Sequence, residues 1–261
     1  MFLRSHDADL FVTSFGSGPR TIVAHGGWVG SGELWQLPFE VLSRHWRTVT
    51  YDHRGSGATQ NRAASITFEL LVNDLFRVLD ALEIDTCVLA GESAGACVVL
   101  EAALRKPERF GGLVVVDGRY EGTRNERRAR LIEGCKADFE ATMEAFINAC
   151  IPEEDCEAER RWGKQIVMRS NGPHAVQLLE CLEVVQVVQR LSQIQQPTLL
   201  IHGDRDVIAP IAGSQYLAKE LPRAKLVTIE GAGHVPTLTR PLEVVRAIEE
   251  FFENGTPRRP V

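Results

Sequence analysis

Thr86-Cys87-Val88-Leu89-Ala90-Gly91-Glu92-Ser93-Ala94-Gly95-Ala96-Cys97-Val98-Val99-Leu100 decides the fold of this chain. Its first five residues are mostly apolar, rich in strand formers and about the length of a buried strand. Ala96 to Leu104 reads as a buried helix. A Gly-x-Ser-x-Gly between a strand and a helix is a nucleophile elbow. The turn is so tight that bulky neighbours are excluded, and the Ser93 hydroxyl is pushed out above the sheet. The helix start also aims free N–H groups at any negative charge that develops there. Alone, the pattern is weak, because glycine, alanine and serine also build ordinary turns.

A serine nucleophile needs a general base and an orienting acid. Two later segments supply candidates in the order serine, acid, histidine. Pro197-Thr198-Leu199-Leu200-Ile201-His202 is a short apolar run ending in Gly203-Asp204-Arg205-Asp206, which puts two carboxylates in the loop after a strand. Lys225-Leu226-Val227-Thr228-Ile229 is another such run, ending in Glu230-Gly231-Ala232-Gly233-His234. The glycines give His234 backbone freedom to swing over the serine. Three chemical groups at the ends of three strand-like segments are hard to explain as turns alone.

The pattern around these segments is that of an α/β protein. Residues 9–15 alternate as an opening strand, part of a hairpin, and Thr21–Ala24, Thr48–Tyr51 and Leu113–Val116 read as further strands. Thr67 is placed to cap a helix whose Leu71, Leu75, Val78, Leu79 and Leu82 share one face. A helix is expected over about 211–221, and a last one from Pro241 is expected to bury Leu242, Val245, Ile248 and Phe252. Strands alternating with helices imply a mainly parallel sheet covered on both faces, with its site at the strand C-terminal ends. Between Arg119 and Gln196 no strand-like run occurs. There Phe139, Met143, Phe146 and Ile147 fall at helical spacing, as do Leu178, Leu179, Leu182 and Val185. Residues 254–260, with glycine, two prolines and two arginines, read as a frayed end.

At 261 residues the chain is long enough for one such domain with an insertion. A net charge of −6 argues against nucleic acid as a partner, because phosphate binding needs a basic face. The basic clusters Arg127-Arg128 with Arg130 and Arg160-Arg161 lie among acidic residues and read as solvated helix faces. No run reaches the length of a membrane span, and the N-terminal residues lack the apolar core of a secretory peptide. The six cysteines form no Cys-x-x-Cys pair. Cys87 and Cys97 fall in core segments, Cys150 and Cys156 are the one pair spaced for a bridge, and a reducing cytoplasm is the expected setting.

His25-Gly26-Gly27-Trp28, Asp52-His53-Arg54-Gly55-Ser56-Gly57, Gly91-Glu92-Ser93-Ala94-Gly95, Gly203-Asp204-Arg205-Asp206 and Gly231-Ala232-Gly233-His234 stand in the order of a known family. Through them the chain resembles the α/β-hydrolase superfamily, of the small cofactor-independent esterase and lactonase type. The resemblance implies an α/β-hydrolase core from 1–118 and 197–261, with a helical cap inserted over 119–196. It implies a triad of Ser93, His234 and Asp206, since the family's Gly-x-x-Asp pattern favours Asp206 over Asp204. Asp117, at the end of the strand after the elbow, is a third candidate acid, because some relatives take theirs from there. Backbone N–H groups of Ala94 and Gly27 are the expected oxyanion donors, with Trp28 as alternative donor or as pocket lining. His25 is expected to be structural, and the segment from Asp52 a charged turn that braces the site.

The activity expected is hydrolysis of a carboxylic ester or lactone of a small, mostly apolar substrate through an acyl-serine, with no metal or cofactor. The only expected partner is that small molecule. Carbon–carbon bond hydrolases, thioesterases and perhydrolases share the same residues. A receptor built on a hydrolase scaffold is the alternative of a different class. Epoxide hydrolases and haloalkane dehalogenases are disfavoured, since both need a carboxylate where Ser93 stands.

Overall fold

The computed structural model describes residues 1–120 and 125–254; residues 255–260 of the tail expected to fray lie outside them. Strands β1 (Phe2–Ser5), β2 (Ala8–Phe15), β3 (Arg20–His25), β4 (Trp46–Tyr51), β5 (Gln60–Asn61), β6 (Cys87–Glu92), β7 (Phe110–Val116), β8 (Thr198–Gly203) and β9 (Ala224–Ile229) form one sheet. Its order is β1-β2-β4-β3-β6-β7-β8-β9, with β5 paired to β2. β1 and β2 make the expected hairpin, and β2 also runs antiparallel to β4. From β4 to β9 every neighbour is parallel. That is why β6, the elbow strand, is central and has all six residues buried.

The register shows how both faces are covered. Val88 of β6 pairs with Gly112 of β7, and Gly91 pairs with Val115. Val88 and Gly91 are three residues apart, so they point to opposite faces. A Cβ on Gly91 would meet Val99 of α3 (Gly95–Arg105), whereas one on Gly112 would meet Phe252 of the last helix. One face thus packs on α3 and its neighbour α2 (Phe68–Ala81). The other packs on α10 (Pro241–Asn254) and its neighbour α1 (Gln36–Leu42).

α2 begins as its sequence predicts. The Thr67 side chain accepts from Leu70 N–H, and Leu71, Leu75, Val78 and Leu79 are buried on one stripe, with Leu82 half-buried. α10 departs from expectation in one residue. Leu242 is 64% exposed, while Val244, Val245, Ile248 and Phe252 are buried. At about 100° per residue, Leu242 lies roughly 120° round the helix from that stripe. Its spacing to Val245 looked helical, but the buried face is centred elsewhere.

Between β7 and β8 the chain runs through α4 (Glu126–Ala137), α5 (Phe139–Cys150), α6 (Glu157–Val167) and α7 (Gly172–Cys181). Helices α8 (Ala212–Glu220) and α9 (Pro236–Thr239) follow β8 and β9. No disulfide joins any of the six cysteines, so Cys150 and Cys156 form no bridge. No helix among the described residues is long and apolar enough to cross a membrane.

The segment after Asp52 braces the fold with a buried ion pair. Arg54 Nε lies 2.6 Å from Asp74 Oδ2 and Nη2 lies 3.1 Å from Oδ1, with both side chains fully buried. Ser5 Oγ donates to the same carboxylate at 2.6 Å, so the β1 hairpin, α2 and the Arg54 loop meet there. Asp74→Ala leaves the buried guanidinium with only the half-exposed Asp7, on Nη1, as counter-charge and is expected to cost about 3 kcal/mol in urea unfolding. A loss below about 1 kcal/mol would reduce the pair to the worth of a surface ion pair.

Candidate active site

Ser93 sits between β6 and α3 in the left-handed region, at φ +51°. This conformation costs a non-glycine residue about 1–2 kcal/mol. The surroundings enforce it: Ser93 N–H donates to Val116 O at 2.9 Å, and its carbonyl accepts from Ala96 N–H and Arg119 N–H. Gly95 must be glycine, because a Cβ there would stand 2.3 Å from Gly26 O. The hydroxyl is thus held above the strand end in a residue only 8% exposed.

His234 Nδ1 lies 2.7 Å from Asp206 Oδ2, and its Nε2 lies 2.8 Å from Ser93 Oγ. An ionised carboxylate can only accept, so the ring donates to Asp206 and offers Nε2 to the serine O–H. Asp206 Oδ1 accepts from Ile208 N–H at 2.7 Å and Ala209 N–H at 2.9 Å. Burial opposes its ionisation, but the His234 charge and hydrogen bonds from His202, His234 and Ala209 outweigh it and hold the carboxyl well below the usual carboxylate range. Asp204, the competing carboxylate, is exposed and accepts from Gly231 N–H at 2.7 Å, which ties down the histidine loop.

The histidine loop is also held from the helical segment. His234 N–H donates to Cys150 O at 2.7 Å, at the end of α5. Glu153 accepts from Gly233 N–H at 2.9 Å and Thr239 Oγ at 2.8 Å. A Cβ on Gly233 would come within 2.4 Å of Cys150 O, so this approach requires glycine. Nothing in the acidic run around Glu153 marks it for this role.

On the other side of Ser93 lies the loop after β3. A Cβ on Gly27 would be 3.5 Å from Ser93 Cβ. The N–H groups of Gly27 and Ala94 make no backbone hydrogen bond among the described residues. The His53 ring bridges Gly27 O and Arg54 O, each at 2.9 Å, and stacks on His25 at 4.9 Å. Burial, with the His53 ring beside it, pushes His25 down to about 3, so it is neutral and structural. Trp28 Nε1 donates to Ala175 O of α7 at 2.8 Å, and its ring meets Phe146 of α5 edge-on.

Two further carboxyls lie buried near Asp206. Burial pushes Glu92 up to about 8, against a 2.9 Å hydrogen bond from Thr237 Oγ and helped by the Asp206 charge. Burial and Asp206 likewise raise Asp117 well above the carboxylate range, while its Oδ1 accepts from Gly203 N–H at 2.9 Å. Asp117 therefore braces β8 as a neutral group. Asp117, Asp206 and His234 are close enough to share a cation. Asp206 and His234 are committed to each other and to Ser93, and Asp117 Oδ1 to Gly203 N–H, while Asp117 Oδ2 has no hydrogen-bond partner among the described residues.

Above Ser93 opens a cavity of about 50 Å³. Trp28, Phe146, Leu131 and Leu179 line it, as do Arg119, Arg127 and Arg128. The reading of 127, 128 and 130 as solvated helix faces fails at Arg128 alone. Arg130 is solvated, with its side chain 80% exposed beside Glu126, and Arg127 is exposed while also lining the cavity, but Arg128 is buried. The cavity wall is thus not purely apolar. On a 3.6-residue helix neighbouring residues face different ways, so a run of arginines cannot reveal which one turns inward.

Residues 22–247 match the alpha/beta hydrolase family, and the chain belongs to it. The RutD protein of Pseudomonas syringae pv. syringae, provisionally named a carbamate hydrolase, is 30% identical over 89% of this chain and 93% of its own. A pimeloyl-[acyl-carrier protein] methyl ester esterase from Nitrosomonas europaea is 28% identical over 93% of this chain and 99% of its own. Among solved structures, an Exiguobacterium antarcticum esterase superposes with a TM-score of 0.90 at 19% identity, over 97% and 98% of the two chains. The enol-lactonase of Burkholderia xenovorans LB400 also gives 0.90 at 19% identity, over 97% and 100%. At such identities the structural likeness speaks for the fold.

Glu92 generates a pH prediction. Its folded value of about 8 lies above its ordinary 4.5, so the folded protein holds a proton that the unfolded chain has lost. That contribution to stability is complete below about pH 4.5 and declines until about pH 8. Glu92→Gln cannot titrate. Its stability relative to the parent is expected to rise over this window, by up to about 1.4 kcal/mol per pH unit. Urea unfolding from pH 5 to 9 measures this, and parallel pH profiles for the two proteins would refute a neutral Glu92.

Proposed function

We propose that the protein is a serine hydrolase that cleaves a carboxylic ester or lactone of a small substrate through an acyl-serine intermediate. The observation that carries this reading is the unbroken hydrogen-bond chain from Ser93 Oγ through His234 to Asp206. In the first half-reaction His234 Nε2 takes the Ser93 proton as Oγ attacks the carbonyl carbon. Asp206 fixes the tautomer and stabilises the imidazolium. The oxyanion is received by the Ala94 and Gly27 N–H groups, each worth about 3 kcal/mol if it behaves as such donors do. The intermediate collapses as His234 returns the proton to the leaving oxygen. Water, activated by the same nitrogen, then attacks the acyl-serine and releases the acid.

Helices α4 to α7, within the segment 119–196 of which residues 121–124 lie outside the described residues, act in this proposal as a cap. They supply Phe146 and Leu179 to the cavity and hold the His234 backbone through Cys150. Trp28 belongs to the substrate wall, because its indole is locked between Ala175 O and Phe146. A cavity of about 50 Å³ suits a short acyl group. The methyl ester esterase relative supports ester cleavage, and six cysteines with no disulfide among them accord with a cytoplasmic setting.

Steady-state assay on p-nitrophenyl esters of increasing chain length, with a few lactones, is the test. Multiple turnovers on short acyl chains are expected. Ser93→Ala should lower kcat at least about ten-thousandfold and abolish fluorophosphonate labelling. Asp206→Asn should lose about ten-thousandfold and Asp204→Asn less than about tenfold. The reverse order would make Asp204 the acid. Labelling of Ser93 without turnover of any ester or lactone would favour a carbon–carbon hydrolase or a receptor.

A further inference from the structure

The arginines of the cavity wall call for an explanation that folding does not supply. The chain carries a net charge of −6, so clustered positive charge beside the nucleophile is not its background. Arg127 and Arg128 are the second and third residues of α4, behind the cap Asn125. Positive charge in a first helical turn opposes the helix dipole. Arg128 is buried, with its guanidinium against Leu179 O and 3.1 Å from Glu183 Oε1. Arg127 is held differently. Its Nη1 donates to Val207 O at 2.7 Å and to Ile208 O at 3.0 Å, in the loop directly after Asp206.

These carbonyls fix the Arg127 guanidinium at the cavity without neutralising it, for no carboxylate pairs with it among the described residues. The Nε and Nη2 edge of the fork makes no hydrogen bond there either, and two parallel N–H groups on one edge are the geometry that grips a carboxylate. The group is also near enough to the site for its charge to act on Cys150, whose carbonyl holds His234. The carboxyls of the site do not cancel it, since Glu92 and Asp117 are held neutral and Asp206 is paired to His234.

We propose that Arg127, on a wall shared with Arg119 and Arg128, binds an anionic group of the substrate, a carboxylate carried a few atoms from the scissile carbonyl. The short link follows from the cavity of about 50 Å³. The substrate class is accordingly short half-esters or lactones of dicarboxylic acids. This rests on the reading of Ser93 as nucleophile, and it replaces an apolar acyl pocket with one that is apolar along its walls and cationic at one point.

The test compares monomethyl succinate with its neutral isostere methyl succinamate, with acid release followed by titration. The parent enzyme should prefer the anion in kcat/KM by about tenfold or more. Arg127→Gln should reduce that ratio about tenfold, chiefly through KM, and Arg127→Lys, which keeps the charge but loses the fork, should fall between. Arg130→Gln, on the solvated side of the same helix, should leave the ratio unchanged. Calorimetric titration with succinate gives a readout independent of turnover, in which the parent binds and Arg127→Gln binds about tenfold more weakly. A parent ratio at or below one, equal effects of the 127 and 130 variants, or equal succinate binding by parent and Arg127→Gln would overturn the inference while leaving Ser93 in place. Turnover surviving in Ser93→Ala would instead overturn the nucleophile.

Discussion

The left-handed turn at Ser93 is the constraint on which the remaining architecture depends. A side chain at φ +51° persists only where its surroundings leave no alternative. Here those surroundings are a fully buried central strand, the Val116 carbonyl of its neighbour, and the Gly26 carbonyl packed against Gly95. Each comes from a different parallel strand or the loop after it. The sheet must therefore be assembled before the serine can point where it does, and the helix that follows can then present its first N–H groups to the same spot.

Electrostatics around Asp206 follow from burial. Glu92, Asp117 and Asp206 lie close together, and three adjacent buried anions would be prohibitive. Burial resolves this by leaving Glu92 and Asp117 neutral, while Asp206 alone, with two backbone N–H donors and the His234 ring, has the partners to stay charged. The neutral Asp117 still accepts from Gly203 N–H and so positions the strand that delivers Asp206. Neutralised neighbours also keep the single carboxylate from competing with others for the histidine proton.

The helices between β7 and β8 contribute more than a cover. Through Cys150 O and Glu153 they hold the backbone of the histidine loop, and through Ala175 O they hold the Trp28 indole. Through α4 they set guanidinium groups at the cavity wall. A change in their packing would move the proposed base and the pocket together, which couples substrate fit to the geometry of the proton transfer.

The sequence by itself determined the parallel sheet, the turn at Ser93 and the strand ends carrying Asp206 and His234. Those features are local: period-2 and period-3.6 patterns, a cap at Thr67, and glycines where the backbone must turn or touch. The Gly-x-x-Asp pattern favoured Asp206 over Asp204, and the tertiary structure supplies the reason, since the path of one loop brings Asp206 to the histidine and Asp204 to Gly231 N–H. The tertiary structure alone decided that Leu242 faces solvent and Arg128 does not, since a helix's buried side depends on what it packs against. It assigned Glu153 and Cys150 to the histidine loop across eighty residues of chain or more, a contact no local pattern encodes. Charge states belong to the same category: Glu92 and Asp206 are both carboxyls in sequence, and only burial and hydrogen-bond partners make one neutral and the other an anion.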